Sequence, residues 1–450
     1  METAPRKSLL ERLCLHRPEL RAWALYDWAN SGMVTVIITA VFPIYFSRVA
    51  CQGLPGEVAT RRFAAITTVS LLLAAVLSPF LGALADAAGI KKKLLALSMA
   101  LGAGATAGLF AVQHGDWVLA AALFGLANIG VVASFVFYDA LLPHVAREGE
   151  LDRLSSAGYA LGYVGGGLLL LANLLLIQHP GWFGLPSGDG LSPSQATLPA
   201  RLAFLSVALW WVLFSIPLFL RVSEPPGLGM RSPGQGGALR RSFHELRTTL
   251  RELARLRQTW LMLVAFLIYN DGIGTIIRMA APYGEELGLD SGAMITAILM
   301  VQFVGIPCAF LFGALSGRIG AKRAILIGIG IYFLTTLVAW RMRTELEFYL
   351  LAFLIGMVQG GVQALSRSLY ARLIPRHRSG EFFGLFSILE KFAGVAGPGF
   401  FWLASYLTGS SRAGLLSVIV FFAVGGLLLL RVDVEAGERA ARAAEPPARG

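Results

Sequence analysis

Three ionisable residues lie near the middle of stretches of the sequence that are otherwise apolar enough to cross a lipid bilayer: Asp271, Glu390 and Lys391. An ionisable side chain at that depth costs free energy unless it is solvated, paired or used in function. A carboxylate there can accept a proton or a cation, and a lysine can bind an anionic group or lose its proton when desolvated. These residues therefore predict a polar chamber inside an apolar protein.

Asp271 and Arg278 are seven positions apart, which places them on one face of a helix at a separation of roughly 10 Å. That distance is too long for a direct ion pair without water. Asp271 either faces a cavity, as the acceptor for a proton or a substrate amine, or forms a hydrogen-bonded strut with Asn270 or a neighbouring helix. Arg278 either contacts a carboxylate group or reaches the membrane interface.

Glu390 and Lys391 are adjacent, so their side chains point about 100° apart on a helix and cannot face the same spot. We predict that one faces a central cavity and the other faces a packed partner. For Lys391, two interpretations stay open: a contact to an anionic substrate group or a coupling proton, and a structural ion pair.

Further polar side chains fall within apolar runs. Gln359, Gln363 and Arg367 recur every four residues and form a stripe on one helix face. The stripe either lines a water-filled path or makes hydrogen bonds between helices. Gln302 and Asn128 are single amides for which the same two interpretations apply.

A second group lies near the ends of predicted spans. Asp27 and Asn30 share a face of the first span, and Tyr138 and Asp139 close the fourth. Capping of helix ends is the modest interpretation of the two carboxylates. The sharper one is an inner gate, formed when these groups meet across the bundle. The fifth span carries Tyr163 beside several glycines that allow close helix contact, and we place this tyrosine in the pathway.

The composition sets the protein class. Of 450 residues, 56% are hydrophobic and 14% are charged, and the mean hydropathy is +0.66, far from the balance of a soluble domain. A membrane-spanning helix needs about 20 mainly apolar residues, and twelve such runs predict an all-α membrane protein. The runs are 22–48, 63–85, 93–113, 117–141, 156–178, 201–221, 259–283, 292–316, 323–340, 348–370, 381–406 and 412–431.

Basic residues indicate the orientation of the chain. Most of the 38 lysines and arginines lie at the termini and in the loops after even-numbered spans, so both termini are predicted to be cytoplasmic. We place this multi-pass protein in a bacterial inner membrane. The net charge of +11 then reflects topology and attraction to anionic membrane lipids, and no nucleic-acid partner is expected.

The residue types and their spacing do not predict an enzyme. The six histidines form no metal-spaced cluster, and the sequence contains no phosphate-binding glycine-lysine loop. Cys14, Cys51 and Cys308 suggest neither a disulfide framework nor a thiol metal site. We therefore expect no catalytic residue, no metal and no cofactor. The expected partners are a small-molecule substrate, a proton as coupling ion, and membrane lipids.

The chain is predicted to break in its middle. Residues 222–258 open with the Pro/Gly/Ser-rich segment SEPPGLGMRSPGQGG, and apolar residues at spacings of three and four then predict an amphipathic helix on the inner membrane surface. This linker separates six-helix bundles at 1–221 and 259–431, and 432–450 forms a cytoplasmic tail. The helix is interpreted either as a strap between the bundles or as a regulatory partner site.

The two halves share a loop motif. GALADAAGIKKKLL, which begins at Gly82, is repeated as GALSGRIGAKRAIL, which begins at Gly313, at an offset of 231 residues. Duplication into two pseudo-symmetric six-helix bundles is the simplest account, and parallel repeats are a known transporter architecture. The first copy resembles the loop signature of the major facilitator superfamily, Gly-x-Leu-Ala-Asp-x-x-Gly-x-Lys, through Gly82, Asp86 and Gly89 among its matches.

That resemblance implies the major facilitator fold and a cytoplasmic latch at Asp86 that opens during transport. Two arginines often present in the first copy are replaced by Ala87 and Ile90, and Gly317 takes the carboxylate position of the second copy. The resemblance therefore implies a weaker latch on one side only. The alternative for Lys91 and its basic neighbours is a charged turn that only sets topology.

Three separated blocks resemble a narrower branch, that of the autophagy-related vacuolar amino-acid effluxers and their bacterial relatives. The blocks are RAWALYDWANSG at 21–32, FLIYNDGIGTIIRMAAPYGEELGL at 266–289 and GGVQALSRSLYARLIPRHRSGEFFG at 360–384. The resemblance implies export of neutral amino acids such as leucine or tyrosine, and it favours Lys391 over Glu390 as the functional residue.

We predict a secondary transporter that moves a small organic solute by alternating access with proton coupling. The alternatives are an efflux pump for hydrophobic compounds, and a non-transporting receptor or lipid-moving scaffold on the same fold.

Overall fold

Twelve long helices make up the chain in the computed structural model, which describes residues 8–147, 149–188, 190–227, 255–286, 289 and 291–445. Those of the first half are α1 (Pro18–Ala50), α2 (Gly56–Ala88), α3 (Lys91–Gly108), α4 (Trp117–Val145), α5 (Leu151–Gln178) and α6 (Pro193–Arg221). Those of the second half are α7 (Arg257–Glu286), α8 (Ser291–Ile319), α9 (Ala321–Ala339), α10 (Glu345–Arg372), α11 (Ser379–Thr408) and α12 (Arg412–Leu430). A short helix, α13 (Val434–Ala443), follows.

The predicted all-α membrane fold is confirmed. In the described part of the chain, eleven helices are long and apolar enough to cross a membrane, and α11, with 30 residues, is a further long helix. The helices extend beyond several predicted bounds, because capping residues lie outside the apolar runs. For example, Thr344 starts α10: its Oγ1 accepts from the Glu347 N–H, and the Glu347 carboxylate accepts from the Thr344 N–H.

Large apolar side chains cover the outer faces of the helices. Leu72, Val76, Leu209 and Leu427 are among those that are exposed in the isolated chain. A surface with so many exposed apolar side chains is suited to contact with lipid tails and not with water.

The two halves repeat one packing pattern. Helix α1 packs on α5 and α6, as α7 packs on α11 and α12, and α3 packs on α4, as α9 packs on α10. The halves meet where α2 packs on α11 and where α5 packs on α8. The symmetry that relates the two halves maps one of these interfaces onto the other, as the predicted duplication requires.

In each half, a lysine near the start of the third helix donates hydrogen bonds to carbonyl oxygens at the end of the sixth helix. Lys92 Nζ donates to the carbonyl oxygens of Phe219, at 3.0 Å, and Val222. Lys322 Nζ donates to those of Leu430 and Val432, at 2.8 and 2.7 Å. Carbonyl groups left unpaired at the end of each helix are thereby satisfied.

The linker and the tail are described only in part. The predicted amphipathic helix falls on residues 238–258, of which 238–254 lie outside the described part of the chain, and the boundaries at 222 and 258 stay predictions. The predicted tail begins with α13, which docks on the second half: the Asp433 N–H donates to Gln258 at 2.9 Å, and Gly437 lies against Leu373.

Among the described residues, the largest buried apolar cluster joins the two halves at one end of the molecule. We call this end the terminal side, because α1 begins there and α12 ends there. One buried cluster at the terminal side joins Trp23 and Tyr138 of the first half with Tyr269 and Tyr370 of the second. Two other clusters belong mainly to one half each, one around Phe42 and one around Tyr283. The halves are thus packed together most extensively at the terminal side.

Candidate functional site

Arg367 of α10 is the centre of a buried ionic cluster that joins the two halves. Its Nη2 lies 3.1 Å from Asp27 Oδ2 on α1, and its Nη1 lies 3.1 Å from Asp139 Oδ1 on α4. Its Nε donates to Ser155 Oγ on α5 at 2.8 Å. The arginine is only 4% exposed, so removal of a partner would leave an uncompensated buried charge.

Three aromatic rings surround the same guanidinium group. Its Cζ lies 4.9, 5.6 and 4.6 Å from the ring centroids of Trp23, Tyr138 and Tyr159, within cation–π range. Every partner of the guanidinium group named so far comes from the first half. We call this set the cage, defined by Trp23, Asp27, Tyr138, Asp139, Ser155 and Tyr159.

These contacts differ from helix-end capping, the modest interpretation of the two carboxylates. Asp27 lies well inside α1, and Asp139 lies more than one turn before the end of α4. Both bind a side chain of the other half, so the capping interpretation is wrong for this structure. Asn30, one turn after Asp27, is buried, and its amide nitrogen has no hydrogen-bond partner in the described part of the chain.

Asp86, at the end of α2, caps a helix of the other half. Its Oδ1 accepts from the Gly380 N–H at 3.1 Å, and its Oδ2 accepts from the Glu381 N–H at 2.8 Å. These are unpaired donors in the first turn of α11, where the helix dipole also favours a negative charge. Lys91 Nζ lies 2.5 Å from Oδ1 and is itself 2% exposed. Lys91 is therefore a buried ion-pair partner, which goes beyond a role in topology alone.

Glycines allow this close approach of α2 and α11. A Cβ built on Gly380 would lie 2.7 Å from the carbonyl oxygen of Gly82, closer than real Cβ atoms come to backbone. Gly89 ends α2 with φ +63°, a left-handed conformation that favours glycine, and its backbone lies against Gly227.

Several residues of the seam between the halves were missed by sequence reasoning. Asp152 of α5 accepts from Ser368 Oγ at 2.7 Å and pairs with Arg372 at 2.6 Å, and Ser379 Oγ donates to the Ala140 carbonyl at 2.9 Å. The only sequence signal was indirect: Ser368 and Arg372 continue on the side of α10 that carries the polar stripe.

Asp271 of α7 faces α11 next to a proline inside that helix. Its Oδ2 accepts from the Gly397 N–H at 2.8 Å, beside Pro398, which lacks an N–H group. Its Oδ1 is buried, and no hydrogen-bond donor reaches it in the described part of the chain. Gly397 is required there, since an added Cβ would lie 2.9 Å from Oδ1.

For the other predicted residues of the pathway, the structure gives approximate positions. The Arg278 guanidinium lies near Gly274, between Arg278 and Asp271 along α7, and close enough for its charge to act on Asp271. Asn270 is half-buried next to Asp271. Glu390 lies close enough to the cage for its charge to act on Asp139 and Tyr159. The side chain of Lys391 lies outside the described part of the chain.

Tyr163 of α5 inserts between two helices of the other half. A Cβ built on Gly305 of α8 would lie 3.0 Å from its ring, and one built on Gly360 of α10 would lie 2.5 Å away. The side chain of Gln359, the residue before Gly360 on α10, lies near its hydroxyl group. Tyr163 and Gln359 therefore meet at the contact between the halves.

The remaining amides lie apart from the cage. Asn128 Nδ2 donates to Ser70 Oγ at 2.8 Å within the first half, as expected for packing between helices. Gln302 and Gln363 are half-buried on α8 and α10. Within the described ranges, no group of three or more His, Cys, Asp or Glu side chains is placed to hold a metal ion.

Comparison with known proteins identifies relatives. The family described as "Vacuole effluxer Atg22 like" matches residues 16–442. The chain is 33% identical over 415 residues to the MFS-type transporter YxiO of Bacillus subtilis, with 92% of this chain and 94% of that protein covered. It is 25% identical over 323 residues to autophagy-related protein 22-1 of Neosartorya fischeri, where the match spans only 51% of that longer protein.

Solved structures share the fold. The proton:xylose symporter XylE superposes with a TM-score of 0.65 at 15% identity, over 92% of this chain and 95% of that chain. The MFS transporter FucP in its outward conformation gives 0.67 at 14% identity, over 93% and 100%. Identities this low establish the fold alone. Together with the family match, they show that this chain is a member of the Atg22-like family of major facilitator membrane transporters.

Proposed function

We propose that this protein carries a small organic solute, with a neutral amino acid as the first candidate, across a membrane by alternating access coupled to protons. The observation that carries the proposal is the enclosure of Arg367 of one half by carboxylates of the other. Rocking of two packed bundles would break and remake this contact, which favours two discrete states over continuous bending.

Asp271 is the proposed proton site. Its Oδ2 is held by the Gly397 N–H, while its buried Oδ1 has no donor in the described part of the chain. The free oxygen can take a proton without loss of the bond to α11. A protonated and an ionised Asp271 would then favour different distances between α7 and α11.

The proposed orientation places the terminal side in the cytoplasm, as the distribution of basic residues predicts. The contacts of the cage and of Asp86 would then belong to a state that is closed to the cytoplasm. The description of the matching family as vacuole effluxers supports a transported solute. The resemblance of the three sequence blocks to amino-acid effluxers makes an amino acid the first solute to test.

The test uses the purified full chain in sealed vesicles. We expect uptake of labelled leucine or tyrosine above that of empty vesicles, faster with a pH gradient. Asp271→Asn should lower the stimulation of uptake by the pH gradient at least about tenfold. Exchange of leucine without a gradient should continue. Asp116→Asn, which neutralises an exposed carboxylate in the loop before α4, serves as the matched control.

Two outcomes would contradict the proposal. Gradient-driven uptake by Asp271→Asn at the parent rate would remove the proton site. Absence of leucine and tyrosine uptake, combined with transport of hydrophobic dyes or with lipid scrambling, would replace amino-acid transport by the efflux or lipid-moving alternatives.

A further inference from the structure

All residues of the cage belong to one half of the protein, and Arg367, which occupies the cage, belongs to the other. Its six members all belong to α1, α4 and α5 of the first half, whereas Arg367 is supplied by α10 of the second half. A movement that separates the halves at the terminal side therefore withdraws the cation and leaves the carboxylates and rings behind.

Contacts within the first half hold the cage in place. Trp23 Nε1 donates to the Tyr138 carbonyl at 3.1 Å, and their rings stack with centroids 4.4 Å apart. Tyr138 Oη donates to Asp27 Oδ2 at 2.9 Å. None of these contacts involves Arg367, so the empty cage keeps its shape and binds a replacement with little reorganisation.

The empty cage has the chemistry of a receptor for an organic cation. Two carboxylates supply charge, and three aromatic faces favour a cation that is only weakly hydrated. Gly158 leaves room beneath the guanidinium group: a Cβ there would lie 3.2 Å from both Arg367 Nη2 and Trp23. Without a cation, Asp27 and Asp139 would be two like charges in a largely apolar site, which is unfavourable.

We propose that, in the state open at the terminal side, the cage binds the cationic nitrogen of the transported solute, and that Arg367 displaces it when this side closes. Arg367 is then an internal competitor for the solute site. This inference rests on the proposed transport function, and it names the group of the solute that is recognised: an ammonium or guanidinium group. The cation can be the α-ammonium group of an amino acid or a cationic side chain.

The test is chemical rescue of the emptied cage in the detergent-solubilised full chain. Arg367→Ala should lower the unfolding temperature. Agmatine, with ionic strength matched by NaCl, should raise it again and bind at least about tenfold more tightly than to the parent, whose cage is occupied. The matched control is Arg372→Ala, which removes another arginine of the seam that pairs with Asp152. Agmatine should not rescue it.

Further ligands and variants identify the recognised group. Leucine should bind Arg367→Ala, and N-acetyl-leucine, which lacks the ammonium group, should not. Agmatine but no leucine binding would assign the cage to cationic side chains. Adding Asp27→Asn or Trp23→Leu to Arg367→Ala should abolish rescue. If Arg367→Ala does not fold, Arg367→Lys, which keeps a cation but lacks the planar donor fork of a guanidinium group, should still bind agmatine more tightly than the parent.

Equal effects of agmatine on the Arg367 and Arg372 variants would overturn the inference. The outcome is separable from the transport proposal, because rescue is read from stability and not from flux. Rescue without uptake of any solute would leave the cation site standing while the transport proposal fails. Leucine uptake without rescue by agmatine would support the transport proposal and contradict the cation site.

Discussion

At Asp86, one carboxylate pairs with Lys91 and accepts from two backbone N–H groups of α11. Asp86→Asn keeps one acceptor oxygen but removes the charge, and so leaves Lys91 buried without its partner. Loss of one member of a buried pair costs about 3 kcal/mol or more. We expect this cost to fall on the state closed at the terminal side, because the two N–H groups belong to the other half.

The measurement is the rate of maleimide labelling of Ser379→Cys, with the native cysteines replaced by serine. Ser379 is fully buried in the seam, so labelling reports opening. Asp86→Asn should raise the rate at least about fivefold, whereas Asp116→Asn should leave it unchanged. Equal rates in all three proteins would show that Asp86 does not hold the halves together.

Cys14 provides a prediction outside the membrane. Burial raises the pKa of its thiol to about 11, and the neighbouring Glu150 carboxylate adds to the effect. At pH 8 only about one thiol in a thousand is then ionised, and the thiolate is the reactive form. In a protein with Cys51→Ser and Cys308→Ser, iodoacetamide should label Cys14 about a hundredfold more slowly in the native state than in SDS. Equal rates would show that the segment before α1 is not docked.

At the scale of helices, the sequence predicts what depends on local pattern. Each span is visible because bilayer thickness demands a long apolar run, and Asp86 is visible because its turn has a recurrent motif. The partner of Arg367 is not visible, since Asp27 lies 340 positions away and periodicity along one helix says nothing of what faces it. For the same reason the sequence does not single out Ser155, which lies just before the predicted fifth span at 156–178.

The contact of α5 with α8 and α10 gives a prediction at this scale. Tyr163 lies against Gly360, where an added Cβ would lie 2.5 Å from its ring. Gly360→Ala should therefore destabilise the protein by about 1–3 kcal/mol through overpacking, measured as a lower unfolding temperature. Gly330→Ala on α9 is the matched control. Apart from its chain neighbours and its own helix backbone, no described atom lies within 4 Å of a Cβ built there, so the substitution should stabilise slightly, by about 0.5 kcal/mol.

A second variant distinguishes overpacking from a general effect on α10. Adding Tyr163→Ala to Gly360→Ala removes the ring that the new methyl group meets, so the two costs should be less than additive. Simple additivity would mean that Tyr163 does not occupy the space between the glycines in solution.

At the scale of the whole molecule, the two halves are similar enough that a position where they differ can be identified. Lys92 and Lys322 perform the same task in the two halves, but the carboxylate at Asp86 has only Gly317 as its counterpart. Gly317 nevertheless faces the start of the other half's helix, α5: a Cβ built on it would lie 3.2 Å from Arg153 Nη2. The second interface thus has a cation next to position 317, where the sequence has glycine in place of a carboxylate.

Gly317→Asp should supply that anion and create a second latch. Gly317 is exposed and Arg153 is half-buried, so a pair between them is worth about 1 kcal/mol or less. This corresponds to a shift of up to about fivefold toward the state closed at the terminal side. We expect slower labelling of Ser379→Cys and slower solute uptake, by similar factors, because opening becomes harder. Gly317→Asn, of equal size but neutral, should show neither effect. Equal behaviour of the two variants would mean that α5 and α8 do not need to separate for the terminal side to open.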